Sequence, residues 1–185
     1  DGLGDIDTFA IGGKYYLNGV QVKNAPLAEA AFLSKASNIG LAYANASTED
    51  EGVELEIDTV GINGEFFIPN SQFYVAGSLN RAEVTAESEF GKASDDNTGY
   101  AIEAGYLPIN GLLLAAGISK ENIDAAQVAK KGFINAYSTS SALADDTALT
   151  LRAKYVTLVG NHYANFEAFT AFGDENAYGV AADLY

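Results

Sequence analysis

From Thr147 to Tyr185 the chain runs as three segments of about ten residues in which apolar side chains alternate with polar or small ones, joined by tight-turn sequences. In the first, Leu149, Leu151, Ala153 and Tyr155 fall on one face and Thr150, Arg152 and Lys154 on the other. In the second, Phe166, Ala168, Thr170 and Phe172 oppose Asn165 and Glu167; in the third, Tyr178, Val180, Ala182 and Leu184 oppose Gly179, Ala181 and Asp183. About ten tilted residues is what a bilayer demands of a barrel strand. A soluble sheet alternates too. Repetition along nearly the whole chain, with short and long connections taking turns, favours the membrane.

Upstream, Thr8–Leu17 places Phe9, Ile11, Gly13, Tyr15 and Leu17 on one face and Lys14 among the residues of the other. Asn18-Gly19 then breaks the strand. The stretch from Pro26 to Ala36 suits either a short helix opening on proline or a strand with a bulge near Ser34-Lys35. Alternation resumes at Ile39, Leu41 and Tyr43 and is expected to end in an acidic loop, Ser47 to Gly52. Beyond it Val53, Leu55 and Ile57 oppose Glu54, Glu56 and Asp58. Such acids would each cost about 2–4 kcal/mol at the bilayer midplane. They must face water, in a lumen or in a strand extension beyond the membrane. Matching Ile62 and Phe66 to the apolar face requires a register slip, a bulge near Thr59 to Gly61.

Turns are expected at 68–71, 107–111 and 159–162, and polar, mostly longer connections at 47–52, 81–97, 120–146 and 173–176, with 81–97 suiting either a long loop or strand extensions above a bilayer. Within 120–146, Phe133–Ser138 reads as strand extension and Glu121–Lys131 as partly helical. Short turns at one end and longer loops at the other are the arrangement of an outer-membrane barrel. We therefore expect an all-β, antiparallel up-and-down transmembrane barrel forming one domain over residues 1–185, with about 8–10 strands visible. An even strand number with both ends periplasmic would put one further N-terminal strand outside this sequence, unless Phe133 or Pro26 is misread. The terminal aromatic expected of such barrels would likewise fall just after Tyr185.

Composition narrows the alternatives. No segment approaches the roughly 18 apolar residues of a membrane helix, and no basic and apolar leader opens the chain, so an exported protein would be represented in mature or trimmed form. Cysteine is absent, excluding disulfides and thiolate metal sites. A net charge of −15 disfavours nucleic acid as a partner. Acids cluster in expected loops at 49–51, 95–96, 145–146 and 174–175, where they read as solvated, or as contacts to lipopolysaccharide through divalent cations.

The segment Tyr15–Gln21, then Asn24–Asn38 (NAPLAEAAFLSKASN), resembles the putative-porin family of outer-membrane channels from Moraxella-type gammaproteobacteria. Ala153-Lys154-Tyr155-Val156 and the aromatic-alternating C-terminus look similar as well. The resemblance implies an outer-membrane barrel through which small solutes diffuse, surrounded by outer-membrane lipid and lipopolysaccharide. Family members are long enough for a wider barrel, and barrel width grows with strand number.

Alternation nominates pore-lining residues: Lys14, Glu54, Glu56, Asp58, Glu103, Arg152, Lys154 and Glu167. Inward polar groups of this kind replace part of a solute's hydration, and an acidic excess selects cations. The same charges could instead pair and plug a narrow barrel, giving a structural or adhesive protein. A soluble sandwich would turn its apolar face to a core and lack an outer girdle of the kind Tyr15, Tyr43, Phe66, Phe73, Tyr106, Tyr155 and Phe172 suggest. An enzyme is the least supported reading and no cofactor is expected: His162 lies in a turn, Ser138, Ser140 and Ser141 have no elbow motif, and no phosphate loop is present.

Overall fold

The computed structural model describes residues 6–22, 25–50, 52–120, 147–173 and 176–185. Among the described residues nine strands are present: β1 (Ile6–Tyr16), β2 (Asn38–Asp50), β3 (Val53–Phe67), β4 (Phe73–Ser88), β5 (Gly91–Ile109), β6 (Leu112–Lys120), β7 (Thr147–Val159), β8 (His162–Phe172) and β9 (Ala177–Leu184). One short helix, α1 (Leu27–Leu33), lies between β1 and β2. The strands form a single sheet in sequence order, each antiparallel to the next. This is the all-β, up-and-down meander that the alternation and turn spacing predict. Most of the expected 120–146 connection, including Phe133–Ser138, lies outside the described residues.

The sheet is inside-out relative to a soluble one. Ile11, Leu41, Ile62, Leu79, Ile102, Leu151 and Val180 stand on the exposed face, while Ala42, Asn63, Ala76, Glu103, Ser119 and Asn165 stand on the buried one. A continuous apolar face of this extent has no place in water and is matched to hydrocarbon. Aromatics border it. Tyr15, Phe66, Phe73, Tyr106, Tyr155 and Phe166 share this face near the short-turn end, and Phe9, Tyr43, Tyr100, Phe172 and Tyr178 lie further toward the other. Two such rows are where amphipathic rings settle at membrane interfaces.

The sheet curls with its polar face concave, since Tyr74 on β4 meets Arg152 on β7 at 3.4 Å. At the short-turn end the hollow is filled. Phe67, Tyr74, Ala76, Leu107, Leu113 and Ala115 cluster there, with Phe32 of α1 against them. The Phe32 and Phe67 rings lie 6.4 Å apart and those of Phe67 and Tyr74 5.0 Å. A seven-residue helix is too short to be stable alone, so α1 owes its order to this packing. Of the two readings open for 26–36, helix holds: Pro26 at φ −56° starts it, and the backbone N–H groups of Ser34, Lys35 and Ala36 close its last turn.

Two expectations need correction, and one open alternative is decided. The acidic 47–52 segment is mostly strand, because β2 continues to Asp50 and β3 resumes at Val53. The 81–97 segment takes the strand-extension alternative: β4 and β5 form one tall hairpin turning at Glu89-Phe90. No slip occurs near Thr59 to Gly61, where β3 pairs without interruption on both sides. The irregularity falls instead in β5 between Tyr106 and Ile109. Pro108 has no N–H to give a ladder and so suits a bulge. Gln72 anchors this bulge, its carbonyl accepting from Leu107 N at 2.7 Å and its side chain donating to Pro108 O at 3.3 Å. The following turn is therefore only Asn110-Gly111.

Candidate functional site

The concave face is the surface that could carry chemistry. Alternation sends Lys14, Glu65, Glu103, Arg152, Lys154 and Glu167 to it, each on the same face as the buried small residues of its strand. Glu29 arrives from α1. A cavity of about 260 Å³ lies among Lys14, Glu29, Glu65, Tyr74, Arg152 and Lys154.

Two polar networks tie its walls together. In one, Arg152 donates from Nε to Glu103 Oε2 at 3.2 Å and from Nη2 to Glu103 Oε1 at 2.8 Å, and reaches the Tyr74 hydroxyl. Tyr74 donates to Glu65 Oε1 at 3.3 Å, and Asn38 Nδ2 donates to Glu65 Oε2 at 2.7 Å. The forked geometry is the strong form of an arginine–carboxylate pair. In the other, Lys154 Nζ lies 2.9 Å from Glu29 Oε2 and 2.8 Å from Glu167 Oε1. Asn165 Nδ2 donates to Glu167 at 3.0 Å and to Asp183 at 3.3 Å, while the Tyr185 hydroxyl donates to Glu29 Oε1 at 3.1 Å. Lys154 also sits 5.2 Å over the Phe32 ring. The second network therefore ties α1 to β7, β8 and Tyr185.

Toward the loop end the wall changes character. The register row from Lys14 runs through Gly40, Asn63, Ser78, Ala101 and Ser119 to Ala148; the next runs through Gly12, Ala42, Gly61, Asn80 and Gly99. These side chains are short, and the wall at this level is buried, Ala42, Asn63, Ser119 and Ala148 among it. Asn63 Nδ2, Thr59 Oγ1 and Asn80 Oδ1 are buried there without a partner among the described residues. Polar atoms in that position call for water or solute.

Of the residues nominated from sequence, Lys14, Glu103, Arg152, Lys154 and Glu167 share the concave face. Glu54, Glu56 and Asp58 do not. With β3 in unbroken register they share the outward face of Val60, Ile62 and Phe66, beyond the apolar belt, where Asp58 accepts from the Tyr43 hydroxyl and Asn45 donates to Glu56 at 2.9 Å. The lumen placement depended on the slip that β3 does not make; the strand-extension alternative fits. Glu65 was accessible by alternation from Ile62 and Phe66. Glu29 was not, because its place follows from how α1 folds back rather than from strand period. His162 is exposed at the start of β8, its Nδ1 3.3 Å from the Tyr185 carbonyl oxygen.

Comparison with known proteins agrees with this geometry. A family profile described as "Putative general bacterial porin" matches residues 3–185. Among solved structures, the Acinetobacter baumannii outer membrane protein Omp33 is 29% identical with a TM-score of 0.62, over 97% of this chain and 65% of Omp33. The chain thus spans about two thirds of that protein's length. The β domain of the Bordetella autotransporter Brka aligns at 13% identity and a TM-score of 0.36, over 97% of this chain and 84% of that one, a likeness too slight to argue from. No curated protein sequence matches.

Proposed function

This chain belongs to the putative general bacterial porin family, and from that premise we propose that it forms a passive outer-membrane channel for small hydrophilic solutes and ions, with a preference for cations. The observation that carries the reading is the inversion of the sheet: apolar residues outside, and a concave wall of small and polar residues inside. Such a channel works without a catalytic group. Inward donors and acceptors replace hydration, and the lining charge selects by sign.

Support for cation preference comes from the inner wall itself. Glu29, Glu65, Asp95, Glu103, Glu167 and Asp183 outnumber Lys14, Arg152 and Lys154 on the concave side among the described residues. The outward acids Glu54, Glu56 and Asp58 face the lipopolysaccharide level in this reading and contribute little to selection.

One feature favours a second reading, a barrel with a filled lumen and a structural or adhesive role. Helix α1 and the two charge networks occupy the short-turn end. Planar-bilayer recording of the refolded protein, first in symmetric KCl and then across a salt gradient, separates the two. Discrete conductance steps with a cation-selective reversal potential are expected; a folded, heat-modifiable barrel that never conducts would establish the filled-lumen role.

A further inference from the structure

The two faces of the wall exchange polarity above the apolar belt. From Val60 toward the long-loop end, β3 sends Asp58, Glu56 and Glu54 outward and Thr59, Ile57, Leu55 and Val53 inward, with no break in register. Its neighbours follow. Strand β4 presents Glu83 and Glu87 outward but Ala82, Val84 and Ala86 inward, and β2 presents Asn45, Ser47 and Glu49 outward but Ala44 and Ala46 inward. The raised part of the wall therefore has the polarity of a sheet in water, apolar on the side that lines the mouth. Leu55, Ile57 and Val84 are half-buried there, less covered than Thr59 and Ala82 in the row beneath.

Charge meets this apolar strip at Asp95. The register row through Ala46, Ile57 and Val84 continues to Asp95 on β5, which shares the inward face. Neighbouring strands are about 5 Å apart, which puts the Asp95 β-carbon about 5 Å from that of Val84 and about 10 Å from that of Ile57. Asp95 accepts a hydrogen bond from the Asp96 backbone N–H at 3.0 Å, and no cation pairs with it among the described residues. Arg81 and Lys92 stand on the outward face, held by Asp96 at 3.2 Å and Glu87 at 3.6 Å. Resting on the channel reading, we propose that Leu55, Ile57, Val84 and Asp95 form a docking strip inside the mouth for amphipathic cations, small amines with an apolar chain or ring one or two strand spacings from the charged nitrogen. The ammonium group pairs with Asp95 while the apolar body lies on Val84, Ile57 and Leu55, taking apolar surface out of water on both sides. A bare hydrated cation gains nothing from the strip, and an uncharged apolar solute gains nothing from Asp95.

The test records potassium current through the whole chain in planar bilayers, with phenethylammonium or methylammonium added on the side the long hairpins face. Phenethylammonium is expected to block at concentrations several-fold lower than methylammonium. Leu55→Thr/Ile57→Thr/Val84→Thr, which keeps β-branched residues in the strands, should remove most of that difference, as should Asp95→Asn, while Glu54→Gln/Glu56→Gln/Asp58→Asn on the outward face leaves it unchanged. A conducting chain that the two amines block alike, or whose triple threonine variant is blocked as the wild type is, overturns the strip alone. A wild-type chain that never conducts overturns the channel reading, and the strip is then read by saturation-transfer NMR of phenethylammonium with the protein in nanodiscs. There Asp95→Asn should lose the signal several-fold, and a signal equal to that of the wild type overturns the strip as well.

Discussion

Glu103 and Arg152 are a carboxylate and a guanidinium with 6% and 18% of their side chains exposed, so each depends on the other. Removing one partner leaves a charge in a poorly solvated place, a loss of about 3–5 kcal/mol for buried pairs. Glu103→Ala should therefore lower the urea midpoint of the vesicle-inserted protein markedly, and Glu103→Leu/Arg152→Met should recover most of the loss. A double variant whose loss equals the sum of the two single losses would show the pair to be independent charges. Gly111 makes a different demand. Its φ of +83° is open to glycine, and a β-carbon there would stand 2.2 Å from the Val156 carbonyl oxygen. Gly111→Ala should cost about 1–2 kcal/mol from the backbone alone, with the contact adding to it. Gly160→Ala, at φ +64° with nothing within 4 Å, isolates the backbone share when unfolding of the two is compared. At this scale the sequence displays which face a residue takes wherever strand period is unbroken, as at Arg152 and Lys154. It does not display who pairs with whom: that Glu103 meets Arg152 depends on strands brought together by curvature.

Among the elements, α1 has the most leverage. It is held by Phe32 on Phe67 and by Glu29 between Lys154 and the Tyr185 hydroxyl, so it occupies volume that strands alone would leave empty. Replacing residues 27–33 by a glycine–serine segment should increase single-channel conductance with the barrel still formed. Unchanged conductance would mean that solutes pass elsewhere. The strands were largely legible because a period of two survives local irregularity. Their ends were not. Acid-rich residues at 47–52 and 81–97 look like loops by composition, yet backbone pairing continues through them, since a strand rising into water can carry charge on either face. The helix at 27–33 was ambiguous because tertiary packing, not propensity, decides so short an element.

For the molecule as a whole, the inverted sheet makes adjacent positions unequal. Leu151 faces outward in the belt and Thr150 faces the hollow. Leu151→Arg should cost about 2–4 kcal/mol in membrane-inserted stability, the price of a charge in hydrocarbon, whereas Thr150→Arg should cost far less. Vesicle-based unfolding of the two variants reads the difference, and equal losses would contradict the assignment of faces. The net charge of −15 is likewise unevenly placed: Glu54, Glu56 and Asp58 lie on the outside of the wall, so total charge is a poor guide to what the lumen feels.

Among the described residues each of the nine strands pairs only with its neighbours in sequence. A wall assembled in that way can grow by whole hairpins: inserting or deleting one adjacent strand pair leaves every other pairing intact and changes only the circumference. Evolution can thus adjust the bore of such a protein by duplication and loss, without having to invent a new topology at each step.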